Sequence, residues 1–139
     1  MTEQLSLEIG LAIAESARIA ARDQGAKVAI VLVGLDGKPV LMQRMDDAYF
    51  SAEVIASKKA FTAVNFGVAT HVMAERLGTL EYQSLVTAAD DRLTFLTGGL
   101  PLTTEGLLIG AIGVSGGTGD QDLACCVAAA NRLETEVGR

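Results

Sequence analysis

The stretch Leu107-Leu-Ile-Gly-Ala-Ile-Gly-Val-Ser-Gly-Gly-Thr-Gly-Asp-Gln-Asp122 decides how this chain is read. From Leu107 to Val114 every residue is apolar or glycine, which suits a buried strand. Ser115-Gly-Gly117 breaks the run, and the acidic residues after it have the composition of a helix start. Upstream, Thr103-Thr-Glu-Gly106 separates this strand from Pro101-Leu102, which predicts a hairpin. Downstream, Leu123, Val127 and Ala130 share a face, which predicts a closing helix from Asp120 to about Glu136.

Glycine junctions of this kind serve three known chemistries. No Gly-Lys-Ser or Gly-Lys-Thr follows this one, so it is not a nucleoside-triphosphate loop. The spacing of a dinucleotide fingerprint is also absent. Gly113-Val-Ser-Gly-Gly117 spells a nucleophile elbow, but the chain is short for such a hydrolase and no histidine lies downstream. What remains is a helix N-terminus, whose free N–H groups suit an anion. Asp120 or Asp122 can equally fill that place as an N-cap. Both readings stay open here.

Working outward, residues 3–24 carry an apolar stripe through Leu5, Ile9, Ile13, Ala17 and Ala20, which predicts a helix stopped by Gly25. Val28–Val33 is a short apolar strand, Asp36-Gly37 a turn, and Pro39–Arg44 the returning strand. A second helix is expected from Ser51 to Phe66, ended by Gly67, and a shorter one from Thr70 to Leu77. Residues 78–93 read mostly as loop and Leu93–Leu96 as a further strand. The hairpins argue for an α+β fold, with five antiparallel strands flanked by helices.

The 139 residues suggest one domain, 1–139. Half are hydrophobic, so a core is available, yet no apolar run approaches the roughly 20 residues of a membrane span. The N-terminus lacks a basic segment followed by an apolar one, so a cytoplasmic protein is expected. A net charge of −6 with no basic stripe argues against nucleic acid as partner. Cys125 and Cys126 are adjacent on the closing helix, where neighbouring side chains diverge by about 100°. They are expected to be buried thiols rather than a disulfide.

Lys59 is the sharpest anomaly. It lies in the apolar stripe of the second helix, between Ile55 and Ala63, whereas Lys58 falls to the side with Ser51, Thr62 and Asn65. An inward lysine is rarely left unpaired. Either its stem packs while its ammonium snorkels outward, or it anchors an anion in a pocket. Arg44 ends the second strand and suits a bidentate clamp on a carboxylate, or a bridge to Asp46, Asp47 or Glu53. His71, just after a possible Thr70 cap, is the single imidazole, so any histidine chemistry must use it. Met42, Met45 and Met73 are core fillers or, in principle, haem-iron ligands.

Four motifs occur in order: Arg44-Met-Asp-Asp-Ala48, Ile55-Ala-Ser-Lys-Lys-Ala-Phe-Thr-Ala63, Gly98-Gly-Leu-Pro-Leu102 and Gly110-Ala-Ile-Gly-Val-Ser-Gly-Gly117, followed by Gln121-Asp122. Together they resemble the GlcG/HbpS family of haem-binding or haem-degrading-type domains, which also includes the C-terminal domain of PduO-type proteins. The resemblance covers nearly the whole chain. It implies a profilin-like three-layer α/β/α fold with a five-stranded antiparallel sheet, and a homo-oligomer with pockets near subunit contacts. The candidate pocket in this chain draws on Arg44, Lys59, Thr62, Gly98, Gly99, Pro101, Ser115, Gly116 and Gly117, with His71 as the candidate metal ligand. The chain departs from the family pattern in having no histidine in its first helix and no acidic pair spaced i, i+3. Iron ligation would then fall to His71, a methionine, a threonine or water.

Three functions are therefore weighed. The first is a binding protein taking haem or another anionic small molecule near Lys59 and the Gly113–Gly117 turn. The second is a catabolic enzyme on a small carboxylate or oxo-acid, with Arg44 as clamp and Lys59 as acid/base or electrophile. The third is an accessory subunit without a pocket.

Overall fold

The computed structural model describes residues 4–137. In chain order it contains α1 (Leu7–Asp23), β1 (Ala29–Val33), β2 (Pro39–Arg44), α2 (Ala52–Phe66), α3 (Thr70–Leu77), α4 (Leu80–Ala89), β3 (Gly99–Thr104), β4 (Leu107–Ser115) and α5 (Gly119–Val137). The expected start of α1 at residue 3 lies outside the described residues. Within them, Ser6 caps the helix by accepting a hydrogen bond from the Ile9 N–H at 3.1 Å.

The sheet runs β2-β1-β4-β3 and every neighbouring pair is antiparallel. The expected hairpin from Pro101 to Val114 is present and turns at Glu105-Gly106, both with positive φ. The sheet has four strands, not the expected five. Leu93–Leu96 is the missing one: its Leu93 and Phe95 are buried, but the segment joins no ladder. The Thr94 N–H instead donates to the Thr62 hydroxyl on α2. Alternating burial is a property of any extended segment pinned to a core, so here it mimicked a strand. Part of the expected loop at 78–93 is α4, which Thr79 caps through the Tyr82 N–H. No α4 residue is buried: Tyr82, Leu85, Val86 and Ala89 follow helical spacing, yet the helix lies on the surface with Leu80, Tyr82 and Leu85 exposed.

Two cores lie on opposite faces of the sheet. On one, α1 and α5 cover Val28, Ile30, Leu32, Ile112 and Val114. On the other, α2 packs on Ala29, Val31, Val33 and Ala111 through Ala52, Ala56, Ala60 and Ala63. Those alanines let the helix approach very closely. A Cβ on Gly113 would lie 2.0 Å from the Ala56 carbonyl oxygen and 2.6 Å from the Ala60 nitrogen. The helix packs chiefly on β4 and β1 and little on β2, so the edge of the sheet on this side stays uncovered. Among the described residues no helix is long and apolar enough to cross a membrane.

Candidate functional site

Two polar places stand out, one inside the fold and one at its surface, and they sit on adjacent residues of α2.

The inner one is built on Lys59. Its ammonium is 3.1 Å from Oδ2 of Asp122 and donates to the Val114 carbonyl at 2.9 Å. Both side chains are almost fully buried, so Lys59 does not snorkel. Asp122 uses its other oxygen to accept from the Gly117 N–H at 2.9 Å. One carboxylate thus joins α2, the end of β4, the glycine turn and α5. Burial pushes the Asp122 carboxyl above the ordinary aspartate range, against the pull of the Lys59 charge and the Gly117 N–H. Gly98, with φ +126, closes over the pair, since a Cβ there would meet the Val114 oxygen at 2.7 Å and the Lys59 Nζ at 2.8 Å.

The glycine junction is organised around this pair. Neither Asp120 nor Asp122 is the N-cap of α5. Thr118 and Gln121 form a reciprocal capping box, each side chain accepting from the other's backbone N–H. Asp122 sits one position later and turns inward. The sequence carries half of the signal: an inward lysine calls for an anionic partner, but the order of residues does not single out Asp122 among the acids.

The remaining predicted residues are distributed as follows. Thr62 is fully buried, donating to the Lys58 carbonyl at 2.7 Å and accepting from Thr94. The Gly99 N–H donates to the Thr70 hydroxyl, so Thr70 braces β3 while Ala69 holds the cap position of α3. Pro101 lies half-buried on β3 opposite Ala111. Ser115 ends β4 opposite Ala29, and Gly116, with φ +131, turns the chain away from the sheet. His71 is half-buried on α3, with a buried Nδ1 that has no hydrogen-bond partner. Arg44 is exposed and bridges neither Asp46, Asp47 nor Glu53.

Cys125 and Cys126 are both buried and free. The Cys126 thiol donates to the Gly98 carbonyl at 3.2 Å. Burial, and then the Asp122 charge, push the Cys125 thiol up to about 11, and burial raises Cys126 as well. A thiol held above the ambient pH is a poor nucleophile. At pH 8 an aromatic disulfide reagent is expected to label neither cysteine until urea opens the fold. Rapid labelling of the native protein would show that α5 is not packed as described.

The outer place is a cleft of about 400 Å³ between α2 and the uncovered edge of the sheet. Val31, Val33 and Pro39 form its floor, Val54, Ser57, Lys58 and Phe61 its helical wall, and Asp91 with Arg92 its far rim. Lys58 reaches it because one helical step of about 100° separates it from Lys59. Asp90 grips Arg92 with both carboxylate oxygens, at 2.9 and 2.7 Å. That fork holds the Asp90 carboxyl down at about 2 and sets the guanidinium 4.6 Å from the centre of the Phe61 ring. Among the described residues the Lys58 ammonium has no hydrogen-bond or ion-pair partner. None of the site residues singled out from the sequence lines this cleft. Arg44 comes nearest along β2. It shares a face with Ala29, about 7 Å of strand beyond Met42, which pairs with Val31 of the floor. Among the described residues, no three His, Cys, Asp or Glu side chains gather as a metal site.

Known proteins share this architecture. The chain is 34% identical over 120 residues to an uncharacterised 15.0 kDa protein from the dhaT-dhaS intergenic region of Citrobacter freundii, covering 85% of this chain and 84% of that one. The structure of a Streptomyces reticuli HbpS double mutant superposes with a TM-score of 0.84 and 32% identity, covering 94% of this chain and 88% of that one. A PduOC:Heme complex superposes with a TM-score of 0.86 and 27% identity, covering 94% and 95%. The family described as haem degrading protein HbpS-like matches residues 5–131, and the chain belongs to that family.

Proposed function

We propose that this protein is a small-ligand-binding domain, taking haem or another apolar anion in the cleft beside Lys58. The cleft itself carries the reading. Its volume falls within the range of about 300–1,000 Å³ typical of small-molecule sites, and its walls are apolar with few polar groups. The Lys58 ammonium, without a partner among the described residues, lines that space. The solved PduOC:Heme complex supports haem as one member of the ligand class.

The lining fits part of haem. Valine and phenylalanine side chains suit a macrocycle, and Lys58 suits a propionate. No imidazole, thioether or thiolate lines the cleft, so its residues do not fit the iron. His71, the sequence-based candidate, lies outside the lining. In this reading Lys59 serves the site through structure: paired with Asp122, it seats the helix that presents Lys58. The exposed Tyr49 and Phe50 support self-association, as the resemblance implies.

Haemin titration followed at the Soret band tests the reading. A saturable shift is expected at micromolar protein, with affinity falling about tenfold in Lys58→Met through loss of a charge-assisted hydrogen bond. His71→Ala is expected to bind as the unaltered protein does. Sensitivity to His71 and indifference to Lys58 would move the site to α3, and no Soret shift would remove haem. Native mass spectrometry of the purified protein reads retained ligand and subunit number together.

A further inference from the structure

We infer that the cleft selects a small apolar monocarboxylate, with the carboxylate on Lys58 and the hydrocarbon on Val31, Val33 and Val54. This rests on the cleft being the ligand site and narrows its ligand class to single anions, which places haem, with its two propionates, behind a monocarboxylate.

The charges around the cleft point to a single anionic group. Arg92 adds little net attraction, because Asp90 already grips its guanidinium. Asp91 adds a further negative charge on the same rim. Lys58 is therefore the one lining cation whose charge is uncompensated by a contact among the described residues. A carboxylate placed there gains a charge-assisted hydrogen bond. A second anionic group on the same ligand would meet Asp91 or the apolar floor, where it has no donor.

The polar partners fit a carboxylate as well. Ser57 lines the cleft one residue before Lys58, and its hydroxyl makes no hydrogen bond among the described residues. It provides a second donor beside the ammonium. The floor is different: Val31 and Val33 are almost fully buried strand residues with no polar atom beyond the backbone. A ligand that lies on them must be apolar away from its head. The lining offers no imidazole, thioether or thiolate to a haem iron, so the contacts proposed here involve no iron.

The test uses hexanoate as probe, with 1-hexanol as its neutral analogue and adipate as its dianion, followed by amide chemical shifts. Hexanoate is expected to move the Val31, Val33, Ser57 and Phe61 amides saturably, and both comparison ligands to bind at least about tenfold more weakly. Lys58→Met should weaken hexanoate about tenfold, and Lys58→Arg should restore most of the affinity. Thermal unfolding should be unchanged in both variants, because Lys58 has no partner among the described residues. Hexanol or adipate binding as well as hexanoate would overturn the inference. So would shifts confined to residues outside the cleft. If haemin affinity still depends on Lys58 while hexanoate moves no cleft amide, the ligand class fails and the cleft stands. If neither ligand responds to Lys58→Met, both fail.

Discussion

Replacing Asp122 with alanine is expected to cost the fold about 3–5 kcal/mol, the range for breaking one side of a buried ion pair. The Lys59 ammonium would keep only the Val114 carbonyl, and the Gly117 N–H would lose its acceptor. Against a typical domain stability of about 5–15 kcal/mol, that loss is readily seen in urea unfolding. The double variant Lys59→Met/Asp122→Leu should recover much of it, since two apolar side chains leave no stranded charge. A loss below about 1 kcal/mol in Asp122→Ala would show that the pair does not hold the layers together.

The same pair predicts a pH dependence. Burial holds the Asp122 carboxyl above its unfolded value, and the Lys59 charge is the largest opposing influence. Lys59→Met removes that opposition, so the carboxyl rises further. A carboxyl raised on folding binds more protons in the folded state than in the unfolded one between the two values. Stability then falls as pH rises through that interval. Lys59→Met should accordingly be least impaired near pH 4 and lose stability towards neutrality, more steeply than the unaltered protein. A flat difference between the two proteins from acid to neutral pH would contradict this.

Gly113→Ala is expected to cost about 3 kcal/mol, at the upper end for an overpacked core. The added methyl would sit on the α2 backbone at Ala56 and Ala60, neither of which can rotate away. The helix must lift from β4, and Lys58 and Phe61 move with it. Both stability and hexanoate affinity should fall together. An alanine tolerated within about 0.5 kcal/mol would mean that α2 lies farther from the sheet than described here.

Most of the elements were legible because their signals are local. The stripe in α1, the Gly25 and Gly67 stops, the Asp36-Gly37 turn and the hairpin before Leu107 all depend on residues within a few positions of one another. Two local readings failed for a related reason. Leu93–Leu96 has the burial of a strand without a ladder, and α4 has a ladder of its own without a buried face. In each case neighbouring residues reported only half of what defines the element.

The site was legible only in part. Lys59 announced itself as a charge in an apolar stripe, and the glycine junction as a place of close approach. The partner of Lys59 lies 63 residues away, and no spacing rule reaches that far. Lys58 looked like an ordinary flanking lysine. What sets it apart is what surrounds it in the cleft: strands before the helix and Asp91 and Arg92 after it.

The strand at 107–115, its hairpin partner, the helices around them and the anomaly of an inward Lys59 follow from the amino-acid order alone, because helix and strand periods act locally. Which acid answers Lys59, and the existence of the cleft, were decided by tertiary packing. Glycine at 113 and alanines along α2 draw that helix onto β4, which leaves the β1–β2 edge open. A cleft is the space that packing does not fill, so it depends on where whole elements come to rest rather than on any one segment.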